Sequence, residues 1–341
     1  MVGIVSYGFY IPTSRILTKD IAAVWEKDAG VIEGSLGVRQ KAVAEVDEDS
    51  LTMAYEASQQ ALLMGNISPK DVGVIFVGSE THPYSVNPTS TILGEFLGVS
   101  NEYLAFDTQF ACKAATGAMM AATGLMQSGF AKHALIAASD KATGKPHDAL
   151  EYTAASASVA VVLGTERVAL EIVDMLSFSS DTPDFWRREG IRYPSHGGRF
   201  SGKPSYFHHV TAASTAILEK TKKKPSDFAH AVFHMPNGKF PLQVASALGF
   251  DEKQIERSLI VGDLGNSYTA SALMGLASVA EAARPGELIF FCSYGSGAGS
   301  DAYVFRVTKH IENVRLPFDV PAANSHTISY PQYLKQMGMI G

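Results

Sequence analysis

Residues 106–127 read FDTQFACKAATGAMMAATGLMQ, and the fold follows from how this stretch must pack. A strand-like segment, Tyr103–Phe106, passes through a short loop to Cys112, and a helical pattern then runs over 113–127. That helix carries Ala114, Ala115, Gly117, Ala118, Ala121, Ala122 and Gly124, so small residues occupy nearly every face. A helix that is small and apolar all round is buried on all sides. A second helix of the same kind spans 268–283, with Ala270, Ser271, Ala272, Gly275, Ala277, Ser278 and Ala280. Two such helices suit burial side by side between two sheets.

Short apolar runs elsewhere read as buried strands. They are Val2–Val5, Val72–Val77, Ala134–Ala138, Val159–Leu163, Ala231–Phe233, Ser258–Val261, Leu288–Phe291 and Tyr303–Val307. Helical patterns fall at 50–64, 89–98, 208–222 and 240–249. Strands alternating with helices indicate an α/β protein with a mainly parallel or mixed sheet. Seven elements of the first half recur in order in the second, which points to internal duplication. The expected halves are 1–165 and 166–341. Two segments fit no regular pattern. One is 177–204, whose Phe185, Trp186, Tyr193 and Phe200 argue for an ordered functional loop. The other is 311–341, with Pro317, Pro321 and Pro331, expected to pack as an arm over the body or a partner.

Composition removes several functions. Net charge is −6, from 28 basic and 34 acidic residues, and no dense basic stripe suits nucleic acid. Lys222-Lys223-Lys224 sits at a helix end, where cations meet the dipole. Two cysteines in unlike contexts, Cys112 and Cys292, argue against a disulfide framework and for a reducing cytoplasm. The first residues, MVGIVSYGFYIP, do not resemble a signal peptide. No run of apolar residues reaches membrane-spanning length.

The chemistry-bearing residues gather at strand ends and helix starts. Cys112 opens the first small-residue helix, where the dipole is expected to lower the thiol pKa; a buried structural cysteine fits the same pattern. Cys292 lies within LIFFC and reads as core. His234 ends the strand Ala231–Phe233, and the turn Met235-Pro236-Asn237-Gly238 places its ring at the strand's edge. Glu80 ends the strand beginning at Val72, in an apolar setting where burial raises a carboxyl pKa. Asn266 precedes the second buried helix, at the place that the repeat assigns to Cys112. The loop Ser293–Ser300, SYGSGAGS, joins strand to strand. It therefore lacks the helix N-terminus a phosphate loop needs, and a tight hairpin beside Cys112 is the better reading. No histidine or cysteine spacing suggests a metal.

Together these segments resemble the thiolase-like superfamily and, within it, the 3-hydroxy-3-methylglutaryl-CoA synthases of the short archaeal type. The carrying stretches are GSETHPYSVNPTS, FDTQFACKAATGAM, EYTAASASVAVVLG, GGRFSGKPSYF, FHMPNGKFP, GNSYTAS and SYGSGAGSD. The resemblance implies a duplicated five-layered α-β-α-β-α architecture around two buried central helices. It implies condensation of acetyl-CoA with acetoacetyl-CoA and water, in the mevalonate route to isoprenoids, through an acetyl-Cys112 thioester and without cofactor or metal. Glu80 would then be the base and His234 the group that bonds the ketone and protonates the alkoxide. Asn266 and Ser296 would position the acyl group. Thr153, Arg199, Ser201 and Lys239 would contact substrate or CoA, with Asp28 and Ala29 along the CoA channel. The family commonly has an arginine where this chain has Gln243. It also implies a homodimer, and assembly with acetoacetyl-CoA thiolase and a small zinc-ribbon/OB-fold scaffold protein. The rival reading is a decarboxylating enzyme of the initiating ketoacyl-carrier-protein-synthase type, which needs no carboxylate base.

Overall fold

The computed structural model describes residues 1–318 and 325–340. Nine strands form one mixed sheet. Their order is His230–Phe233, Leu288–Cys292, Gly299–Val307, Leu170–Ser179, Gly3–Tyr10, Ser156–Gly164, His133–Lys141, Val72–Gly78 and Leu104–Thr108. The same connection pattern occurs on each side of the middle. Gly3–Tyr10 is antiparallel to Ser156–Gly164, which is antiparallel to His133–Lys141, which is parallel to Val72–Gly78. Leu170–Ser179, Gly299–Val307, Leu288–Cys292 and His230–Phe233 repeat those directions in that order.

Strand alternation sorts the side chains into layers. Val74, Phe76, Ile136, Val159 and Val161 face the central helices Ala114–Gln127 and Ser271–Ala282. So do Val232, Ile289, Phe291, Tyr303 and Phe305 from the other side. The intervening residues face outward. Ile75, Val77, Leu135 and Val162 pack on helices Ser50–Gly65 and Thr89–Leu97. Ala231, Phe233, Phe290 and Cys292 pack on helices His208–Thr221 and Phe240–Leu248. The two halves of the sheet meet only where Gly3 and Ile4 pair with Glu171 and Leu170, so they act as two sheets, and the layers run helix, sheet, helix, sheet, helix. Met119, Met274 and Phe291 are wholly buried in the middle layer, each burial contributing about 1.5–3 kcal/mol. Small residues let this layer close up. A Cβ on Gly78 would stand 2.3 Å from the Ala115 backbone nitrogen.

Three expectations change. Ser258–Val261 is not a strand: Ser258 follows helix Glu252–Glu256 and its hydroxyl donates to the Ala231 carbonyl at 2.8 Å, capping the sheet edge with a side chain. Segment 177–204 carries regular pieces, a two-stranded ribbon (Phe185–Trp186 with Ser195–His196) and helical turns from Gly198. Of its aromatics, Trp186 and Phe200 are exposed rather than packed. The tail is also less irregular than its prolines suggest. Pro331 occupies the first turn of helix Tyr330–Gln336, where its missing N–H costs nothing, and Tyr330 and Tyr333 are buried against Ile16, Ile21 and Val43. Pro321 lies outside the described residues.

Candidate active site

The loop from strand Leu104–Thr108 to the first central helix turns sharply at Ala111, whose φ is +46°. A non-glycine residue there is strained by about 1–2 kcal/mol, and such strain concentrates where a side chain must be held in a particular place. Cys112 follows immediately, with 5 % of its surface exposed. Its thiol donates to Glu80 Oε1 at 3.2 Å. The second central helix is entered the same way, with Tyr268 at φ +50° three residues before Ser271, as Ala111 is three before Ala114. By that register Thr269, not Asn266, stands where Cys112 stands.

Glu80 is fixed by its neighbours. Its backbone N–H donates to Asp140 Oδ1 at 2.8 Å, and its carbonyl accepts from Arg187. Asp140, wholly buried at the end of strand His133–Lys141, also accepts from the hydroxyls of Ser79 and Thr81, each at 2.8 Å, and from Thr269 N–H at 3.0 Å. Asp140 thus ties the Glu80 turn to the entrance of the second central helix.

Burial, then the Asp140 charge, pushes the Glu80 carboxyl up to about 8. The same burial and the neighbouring Glu80 push the Cys112 thiol well above its usual range. This corrects the sequence expectation of a depressed thiol pKa: desolvation outweighs the helix dipole, which acts only near the first turn. The resting pair is a thiol beside a carboxyl group. It is poised for proton exchange rather than charged in advance.

A cavity of about 350 Å³ opens over Cys112 and is lined by His234, Asn266, Thr153, Ser201 and Ser296. His234 N–H donates to the Cys292 carbonyl at 2.9 Å, and its own carbonyl accepts from Tyr206 at 2.8 Å. Its ring Nδ1 is buried without a hydrogen-bond partner among the described residues, and burial lowers its pKa to about 3. Asn266 Oδ1 accepts from Tyr268 N–H at 3.0 Å, which orients the amide and leaves the NH₂ group as donor. The Ser293–Ser300 loop is a tight hairpin against the cysteine turn; a Cβ on Gly295 would stand 2.6 Å from the Phe110 carbonyl.

The remaining sequence candidates lie farther out. Arg199 and Lys239 are exposed and do not line the cavity. Asp28 caps helix Ala29–Leu36, accepting from Val31 N–H at 3.0 Å. Ser35 and Leu36, at the other end of that helix, line the cavity, so Asp28 and Ala29 lie about 10 Å from it along the axis. Gln243 is exposed. Among the described residues no group of histidine, cysteine and carboxylate side chains suits a metal. Sequence reasoning missed Asp140, Phe185, Tyr206, Tyr268 and Tyr294. Asp140 carried the same signal as Glu80, an acid ending a buried strand.

A buried cysteine paired with a carboxyl group, at the start of a central helix between two sheets, with a histidine and an amide across the cavity, defines a condensing enzyme of the thiolase-like fold. Comparison with known proteins narrows the class. The model of the hydroxymethylglutaryl-coenzyme A synthase N-terminal region matches residues 1–168, and that of the 3-oxoacyl-[acyl-carrier-protein] synthase III C-terminal region matches 218–307. The hydroxymethylglutaryl-CoA synthase of Methanococcoides burtonii is 50 % identical over 92 % of this chain and 90 % of its own. That of Archaeoglobus fulgidus is 49 % identical over 92 % and 91 %. A solved structure of MvaS in complex with 3-hydroxy-3-methylglutaryl coenzyme A superposes with a TM-score of 0.89, covering 100 % of this chain and 92 % of that one at 23 % identity, which speaks to the fold. The chain belongs to the hydroxymethylglutaryl-CoA synthase family.

Proposed function

We propose that this enzyme condenses acetyl-CoA with acetoacetyl-CoA and water to give 3-hydroxy-3-methylglutaryl-CoA and CoA through an acetyl-Cys112 thioester. The observation that carries the reading is the 3.2 Å contact between the Cys112 thiol and Glu80. In the fraction of enzyme in which Glu80 is ionised, which grows as pH rises towards 8, Glu80 takes the thiol proton as sulfur attacks acetyl-CoA and returns it to the departing CoA thiolate. The resulting carboxylate then removes a proton from the acetyl methyl, and the carbanion attacks the ketone of acetoacetyl-CoA. A base buried to a pKa of about 8 is stronger than an ordinary carboxylate and well suited to this step. His234, held neutral by burial, offers an N–H to the ketone, and the new alkoxide receives the proton carried by Glu80; protonation by an imidazolium does not suit so dry a ring. Asn266 offers its NH₂ to the thioester oxygen. Ser296 and Thr153 bound the acyl pocket. Ser201, Arg199, Lys239, Asp28 and Ala29 line the approach of the CoA chain.

The decarboxylating alternative requires no carboxylate against the cysteine, and Glu80 weighs against it. Intact-mass measurement after acetyl-CoA alone, with Cys112→Ala in parallel, tests the choice. The reading predicts one acetyl group on the wild type, none on the variant, and discharge by acetoacetyl-CoA; discharge only by a malonyl donor would sink it.

We further propose two duplicated halves, 1–165 and 166–341, supported by the repeated strand order. A homodimer joined along Leu104–Thr108 is supported by that strand's position at the sheet edge and by the exposure of Phe106 and Phe110. Assembly with acetoacetyl-CoA thiolase and a zinc-ribbon/OB-fold scaffold, in the cytoplasm, completes the proposal. Among the described residues, no helix is long and apolar enough to cross a membrane.

A further inference from the structure

The reaction consumes one water molecule after condensation, while a CoA thioester still fills the cavity over Cys112. Water therefore needs a second approach. A separate chamber of about 470 Å³ opens to the surface on the far side of Glu80, lined by Gln109, Ala111, Asp181, Arg187 and Ala298. It holds many water molecules at about 30 Å³ each, and Glu80, Gln109, Asp181 and Arg187 offer them hydrogen-bond partners along a largely apolar wall. Glu80 lines this chamber but not the substrate cavity, whereas Cys112 lines the cavity but not the chamber. Phe185, Trp186 and Arg187 reach over it from the irregular segment.

The partition is thin. Phe185 and Ser296 belong to both linings, and the loops carrying them are tied together by Thr182 N–H to the Gly297 carbonyl at 3.1 Å and Ser180 N–H to the Ala298 carbonyl at 2.9 Å. The contact between Glu80 and Cys112 completes the wall. Glu80 keeps part of its surface accessible even though the cysteine beside it is buried.

We infer that this chamber is the water-entry site for hydrolysis of the acyl-Cys112 thioester, reached from the Glu80 side. The inference rests on the condensing mechanism proposed above. Water hydrogen-bonded to the Glu80 carboxylate gives it a proton, and its oxygen forms the new bond to the thioester carbon. The carbon–sulfur bond breaks, and Cys112 sulfur recovers the proton from Glu80. The product leaves as the free acid, which ionises in solution. The base that makes the carbanion is thus also the base that activates water, and the two reactants reach it from opposite sides.

The test narrows the chamber without touching the reacting groups. Ala298→Phe fills it, and Asp181→Trp obstructs its exposed mouth, away from the proposed subunit seam. Rapid-quench release of CoA from acetyl-CoA should keep its wild-type burst in both. Intact mass after addition of acetoacetyl-CoA should then show the hydroxymethylglutaryl adduct accumulating, with hydrolysis slowed by at least about tenfold, equivalent to 1.4 kcal/mol. Trp186→Ala, which widens the chamber, should speed hydrolysis of the acetyl-enzyme when no acceptor is present. A wild-type burst with unimpaired hydrolysis in both narrowed variants overturns the water route alone. Absence of the burst in the wild-type enzyme overturns the condensing mechanism, and the route with it.

Discussion

Replacing Asp140 with asparagine separates its two roles. Asp140 Oδ1 accepts three hydrogen bonds at 2.8 Å, and an amide oxygen can accept the same three. Oδ2 accepts from Thr269 N–H at 3.0 Å; an NH₂ there meets a donor with a donor. One buried N–H is left without a partner, at about 1–3 kcal/mol. The charge also disappears, and it is the second cause, after burial, of the rise of the Glu80 carboxyl to about 8. Asp140→Asn should therefore move that pKa down. A raised carboxyl pKa means that the base is mostly protonated below 8 and ionises as pH rises through it, so the wild-type rate of methyl-proton removal should climb tenfold per unit towards a plateau above 8. In the variant the plateau begins at lower pH, and each unit of displacement corresponds to about 1.4 kcal/mol. The assay is single-turnover condensation by pre-acetylated enzyme across pH 6–9.5, with urea unfolding alongside. An inflection that stays put, or moves to higher pH, would refute the electrostatic role.

Asn266→Ala removes the proposed donor to the thioester oxygen, and stopped-flow measurement should find condensation slower by roughly 10²–10³, with stability lower by about 1–3 kcal/mol because the buried Tyr268 N–H loses its acceptor. Lys113→Met strips the wholly buried Asp301 of its cation, which now sits at 2.6 Å; denaturant titration should read a loss of about 3–5 kcal/mol, and adding Asp301→Asn should restore much of it. Gly295→Ala drives a methyl against the Phe110 carbonyl. It should lower the acetylation rate of Cys112 by displacing the turn at Ala111, read from the acetyl-CoA burst.

The two central helices were legible because small residues on every face leave one solution, burial between sheets. Glu80 and His234 were legible as polar residues ending apolar strands, and Cys112 as the start of a small-residue helix. The sequence did not reveal that desolvation would outweigh the dipole at Cys112, because that depends on Glu80, Asp140 and Tyr268 converging from distant segments. Nor did it reveal that Ser258 would cap the sheet edge instead of extending it: an apolar run of four residues does not distinguish a strand from a turn flanked by helices. The shift of Asn266 against Cys112 in the repeat has the same origin. Three residues of extra turn precede the second helix, and only the positive φ of Ala111 and Tyr268 aligns the two entrances.

The central claim is that Glu80 is the base that creates the carbanion on acetyl-Cys112. Wild-type and Glu80→Gln enzymes, each carrying the acetyl group as verified by intact mass, are mixed with acetoacetyl-CoA at pH 8.5, and adduct formation is followed by rapid quench. The account predicts that the acetylated variant condenses slower by about 10²–10⁴. Condensation at the wild-type rate would contradict it.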